Sequence, residues 1–166
     1  MLPKDEDWVR GYAKQALSDL DTREILVRGN AKKCHRLHFL QMAAEKTCKA
    51  HLTKVNGHKY VKKIHTYTEK NLPTIARVIY SKLNNNNKMQ HWEISEIRRL
   101  AREIEVLAPA CDHGDRREDN SEYPWQDEKG KVQTPCEYNF PKIDDRDRSI
   151  VRLIRLIRKA SESYAQ

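Results

Sequence analysis

The chain has 166 residues, 34% of them charged, a mean hydropathy of −0.91 and a formal net charge of +8 with a pI near 9.3. That length suits one domain spanning 1–166 with a core large enough to need no disulfide staples, and it argues against two domains. No run of eighteen apolar residues and no basic-then-apolar leader at Met1 occurs, so no membrane span or secretory signal is expected, and the expected compartment is the cytoplasm.

The first expected helix covers 7–26. It places Trp8, Tyr12, Ala16 and Leu20, flanked by Val9, Ala13 and Leu17, on one face, and its acidic start at 5–7 complements the helix dipole. Gly29 and Asn30 are its stop. A second helix over 33–54 carries Leu37, Leu40, Ala44 and Cys48 at three- and four-residue steps, with small Ala43 and Ala50 beside the stripe allowing close contact. Asn56-Gly57 reads as a turn over 56–60. Leu72, Ile75, Ala76, Ile79 and Leu83 form a third stripe, with Pro73 tolerated in a first turn and the asparagines at 84–87 as its end. Ile97, Leu100, Ala101, Ile104, Leu107 and Ala108 make a fourth helix over 91–108, closed by Pro109.

Residues 109–146 hold ten acids and show no sustained period, which is long for an inert connection. A last helix over 146–163 turns Ile150, Leu153, Ile154 and Ile157 inward, while Arg146, Arg148, Arg152, Arg155 and Lys159 cover much of the rest. No strand and no internal repeat is evident. The expected fold is therefore all-α: a four- to five-helix antiparallel bundle with a long ordered loop before the last helix.

The charge is segregated along the chain. Residues 28–91 hold fourteen Lys and Arg against two acids, whereas 111–145 carries a net charge of −5. A basic block of that density attracts polyanions, because each phosphate it neutralises releases condensed counterions. The bland alternative is a solvated surface offset by the acidic segment or by an acidic partner. Cys34, Cys48, Cys111 and Cys136 match no zinc or redox spacing and read as core or neutral thiols. Cys34 with His38 and Cys48 with His51 share a helix face, but the pairs lie about 20 Å apart at 1.5 Å per residue and cannot close one tetrahedral zinc site. Convergence of Cys111, Asp112, His113 and Cys136 would need the long loop to fold on itself. No metal and no cofactor is expected.

The stretch CHRLHFLQMAAEKTCKAHL (34–52) resembles the second helix of HEPN domains, in which an Ala-Ala-Glu-Lys-x-x-Lys-Ala core recurs. Ala43, Ala44, Glu45, Lys46, Lys49 and Ala50 carry that similarity; His65 falls where such domains often open their third helix, and NSEYPW (120–125) resembles their Tyr-Pro loop element. The similarity covers about residues 8–160. It implies a helical bundle that binds RNA or a nucleotide, pairs as a homodimer and works with a protein partner, as in two-gene toxin–antitoxin or defence systems whose mate is a small nucleotidyltransferase. Under it, the loop folds back with Tyr123 and Trp125 packed on helices, presenting Arg117, Asn120 and Glu122 beside a cleft; burial of each aromatic would contribute about 1.5 to 3 kcal/mol. Arg36, Lys46, Lys49, Lys62 and Lys63 are the candidate phosphate contacts, with Arg117, Asn120 and Tyr123 from the loop.

Many HEPN domains are metal-independent ribonucleases in which an Arg and a His four to six residues apart act at a dimer interface. His exchanges a proton near neutral pH, Arg steadies phosphate charge, and the ribose 2′-hydroxyl attacks. Arg28 and His35, with six residues between them, are the pair here with that spacing. They lie between the first two helices, whereas the family carries its pair near a later helix, and Gly29 stands where a polar residue is usual. Three readings follow: a HEPN-like RNA- or nucleotide-binding protein acting with a partner, a metal-independent endoribonuclease using Arg28 and His35, and a non-catalytic basic RNA-binding or assembly subunit.

Overall fold

The computed structural model describes residues 3–61, 67–109 and 119–166. It is mostly helical, in the order α1 (Asp5–Arg28), α2 (Lys33–Asn56), α3 (His58–Val61), α4 (Thr68–Leu83), α5 (His91–Glu105), β1 (Trp125–Gln126), β2 (Val132–Gln133) and α6 (Arg148–Ala165). The all-α expectation holds: five long helices carry the fold, and α3 is a single turn.

α1 and α2 form the most extensive helix pair, and their contacts run antiparallel. Asp5 meets His58 just beyond the end of α2, Asp19 meets Lys46, and Arg23 and Arg36 share Asp145. The reversal needs only residues 29–32, with Asn30 in the left-handed region (φ 51°) as the expected helix stop. α6 lies along both helices. Its Ser161 hydroxyl is 2.8 Å from that of Thr47, and Arg158 donates to Asp21 at 2.8 Å. α4 and α5 make the second pair, tied end to end by the Glu69 N–H donating to Glu105 at 2.8 Å.

Sequence and burial agree where periodicity is strong. Leu37, Leu40, Ala43, Ala44 and Cys48 of α2 are fully buried with Leu72 and Ile75 of α4, Leu100 and Ile104 of α5, and Ile150, Leu153 and Ile157 of α6. Alanines at 43, 44 and 50 let the helices approach closely, and removal of so much apolar surface from water is the main stabilising term. Helix ends are fixed by carboxylates: Asp7 accepts from Lys4 N–H, Glu93 from Gln90 N–H, and Asp147 from Ser149 N–H.

Four local expectations are corrected. Residues 56–60 are not simply a turn: Gly57, at φ 85°, ends α2 and α3 follows at once. α4 begins at Thr68, so Pro73 sits in its second turn rather than its first. The early start is held by buried Tyr67, whose carbonyl accepts from both the Asn71 amide and the Asn71 side chain. Residues 125–133 form a small hairpin where no strand was expected. Asp127 organises its turn by accepting from Lys129 N–H, Lys131 N–H and the Gln133 side chain, with Gly130 at φ 77°. Finally, Tyr123 does not pack on the bundle but is 61% exposed. Trp125 packs within the loop itself rather than on a helix, edge-on to Tyr138 with ring centroids 5.0 Å apart.

Candidate nucleic-acid interface

Most of the residues the sequence nominated for phosphate contact are engaged within the chain. Arg36 lies 2.8 Å from the Asp145 carboxylate, with both side chains nearly buried. Lys46 reaches Asp19 at 2.5 Å, and Lys49 reaches Glu45 of its own helix at 2.6 Å while standing 5.6 Å above the Tyr67 ring. The Ala-Ala-Glu-Lys-x-x-Lys-Ala segment thus does structural work: its alanines fill the core and its charges pair off along the seam. Lys62, Lys63, His65, Cys111, Asp112, His113 and Arg117 lie outside the described residues.

Asn120 is likewise occupied. Its side-chain oxygen accepts from Glu122 N–H at 2.9 Å and Tyr123 N–H at 2.7 Å, and its amide donates to the Tyr123 carbonyl at 3.1 Å. This closed turn points Tyr123 outward, while Ser121 anchors the loop through its N–H to the Leu107 carbonyl. Glu122 reaches back to α2, 3.4 Å from His38 Nδ1.

Arg28 and His35 flank the α1–α2 connection, Arg28 on the last turn of α1 and His35 on the first turn of α2. Both are exposed, and the Arg28 guanidinium is held by Glu24, one turn back, at 2.5 Å. Neither residue lines the three cavities formed by described residues. Buried Arg23, which sequence reading passed over, shares Asp145 with Arg36 at 4.0 Å. Burial pulls its pKa below the ordinary arginine value, an effect that the Asp145 carboxylate opposes.

Lys32, Lys54, Lys59 and Lys70 of the basic block are exposed and form no ion pair among the described residues, and three further unpaired cations gather at one groove. Arg77, Ser81 and Lys82 on the outer face of α4, and Lys88 just before α5, line a groove of about 520 Å³ whose other walls are Val78, Met89 and Ile94. None of its lining residues is acidic. Arg77, Lys82 and Lys88 are exposed and form no ion pair among the described residues. Sequence reading missed this site, although its signal was present: the inward stripe Leu72, Ile75, Ala76 and Ile79 leaves 77, 78, 81 and 82 on one outer face, while Leu83, expected in that stripe, is 55% exposed at the end of the helix.

A larger cavity of about 650 Å³ opens between the start of α1 and the ends of α2 and α6. Its lining mixes Asp5 and Glu6 with Arg10 and Lys54. Arg10 is paired with Asp7 at 2.7 Å, and Lys54 stands 5.7 Å above the Tyr164 ring with no carboxylate partner among the described residues. Among the described residues no three His, Cys, Asp or Glu converge as metal ligands. Cys34 and Cys48 are buried, and burial pushes both thiols up, Cys48 furthest, which keeps them neutral; Cys136 is exposed. No helix is long and apolar enough to cross a membrane, among the described residues. Comparison with protein-family models, curated proteins and solved structures finds no match to this chain.

Proposed function

We propose that the chain is a HEPN-like RNA- or nucleotide-binding bundle of the cytoplasm that acts with a protein partner, in the manner of the HEPN component of a toxin–antitoxin or defence pair, and that it binds phosphate through the α4–α5 groove. The observation that carries this reading is the survival of Arg77, Lys82 and Lys88 as unpaired cations around one acid-free groove, while Arg36, Lys46 and Lys49 are neutralised internally. A cation already bound to a carboxylate neutralises little of a phosphate's charge and so frees few of the counterions condensed on the nucleic acid; an unpaired cation frees them. The Ala-Ala-Glu-Lys helix and the Tyr-Pro loop support the family reading. A nucleotidyltransferase is the partner that the resemblance names, and homodimerisation belongs to the same proposal.

Fluorescence anisotropy of a labelled RNA against salt, with wild type and the Arg77→Ala/Lys82→Ala/Lys88→Ala variant, tests it. The expected result is salt-sensitive binding that the triple variant loses. Absence of binding at low salt contradicts the reading. EDTA-resistant cleavage that vanishes in Arg28→Ala/His35→Ala would replace it with the ribonuclease reading.

A further inference from the structure

We propose that the cavity of about 650 Å³ between α1, α2 and α6 binds a small zwitterion with an apolar side chain, a free amino acid or a short peptide with free ends. The inference is independent of the nucleic-acid reading, because this cavity and the α4–α5 groove share no residue. Its volume lies in the range of small-ligand sites, and its walls are held in place. Asp5 at the start of α1 accepts the His58 N–H at 3.0 Å. Gly57 admits that carboxylate, since a Cβ there would stand 3.2 Å from its other oxygen. The contact fixes the first turn of α1 against the last turn of α2.

The lining holds two acids, Asp5 and Glu6, and two bases, Arg10 and Lys54, so it carries no net charge, yet one charge of each sign is left over. Asp5 is engaged by the His58 N–H and Arg10 by Asp7. Glu6 and Lys54 are exposed and form no ion pair among the described residues. A zwitterion answers both at once, its ammonium meeting Glu6 and its carboxylate meeting Lys54. A phosphate would meet Lys54 and be repelled by two carboxylates, and a simple amine would meet Glu6 and be repelled by two cations. Val9, Val55 and Tyr164 supply apolar lining for a side chain, Val55 being 63% exposed. A polar group inside also lacks a partner. Thr53 lines the cavity at 1% exposure, and its hydroxyl makes no hydrogen bond among the described residues. An unpartnered buried hydroxyl is destabilising and rare in native proteins, and a ligand carboxylate or carbonyl oxygen would accept from it.

Amide NMR spectra of the full chain, titrated with L-leucine and with L-leucyl-L-leucine, test the proposal. Shifts are expected at Thr53, Lys54, Val55, Ser163 and Tyr164; shifts with leucine alone assign a free amino acid, and shifts with the dipeptide alone assign a short peptide. Glu6→Gln and Lys54→Met should each weaken binding about tenfold or more, because each removes one charged partner. Thr53→Val, which keeps the shape and removes the hydroxyl, should weaken it about threefold to tenfold and leave the melting temperature at or above that of wild type. Equal binding of L-leucinamide, which lacks the carboxylate, or of N-acetyl-L-leucine, which lacks the ammonium, overturns the zwitterion assignment. The absence of shifts at these residues with every probe overturns the site itself, and either failure leaves the nucleic-acid reading standing.

Discussion

Lys46 of α2 places its ammonium 2.5 Å from the Asp19 carboxylate of α1, inside the seam between the two longest helices. Gln15 donates to the same carboxylate at 3.2 Å, so a lysine that reads as a phosphate ligand in the sequence is a cross-link in the fold. Asp19→Asn leaves Lys46 without its counter-charge in a largely buried seam. It should cost about 1 to 3 kcal/mol in urea unfolding. Lys46→Met, which removes the charge and keeps the stem, should leave RNA affinity within about twofold of wild type, since it takes no unpaired cation away.

The groove cations should behave oppositely. Loss of Arg77, Lys82 and Lys88 together removes three phosphate contacts, which lowers the slope of log affinity against log salt by roughly 2 for a single strand. Thermal stability should change little, because exposed charges contribute within about 0.5 kcal/mol. Anisotropy titrations at several salt concentrations measure the slope, and a melting curve checks the fold.

How much was legible in the sequence follows from how each residue meets its partners. Strong helical period gave the five long helices nearly to their ends, because Leu37, Ile75, Leu100 and Leu153 must all leave water on one face. The pairing of charge was not legible. Arg36 finds Asp145 more than a hundred positions away, and only the tertiary fold brings them to 2.8 Å. Position in a basic block therefore says nothing of whether a cation is spare. The hairpin escaped notice because its strands are two residues long and lack alternation; the clue was local, in Asp127 with Gly130 three residues on.

Asn120 should prove essential to the loop. Asn120→Ala removes its acceptor from two backbone N–H groups and its donor from a carbonyl, and the expected loss is about 1 to 3 kcal/mol. Trp125 lies just beyond this turn, edge-on to Tyr138, so near-UV circular dichroism should report the loosening. Tyr123→Ala, at an exposed ring, should leave stability within about 0.5 kcal/mol.

His51 sets a pH dependence of stability. Its Nδ1 lies 2.9 Å from the Tyr164 hydroxyl, and burial, aided by the Lys54 ammonium, holds its pKa below the ordinary 6.5. Below pH 6.5 the unfolded chain therefore takes up a proton that the folded chain refuses. Unfolding is favoured as pH falls, and this contribution is fully present above 6.5. His51→Gln should flatten the decline in melting temperature between the lowered folded value and pH 6.5 and leave the rest of the profile alone.

The central claim is that unpaired cations in the α4–α5 groove, and not the paired lysines of α2, bind phosphate. One salt-series titration of labelled RNA, in EDTA, against wild type, Lys46→Met and the Arg77→Ala/Lys82→Ala/Lys88→Ala variant tests it directly. The account predicts that wild type and Lys46→Met share one salt slope and that the triple variant loses roughly 2 from it. A triple variant that binds like wild type, or a Lys46→Met variant that alone loses binding, contradicts it.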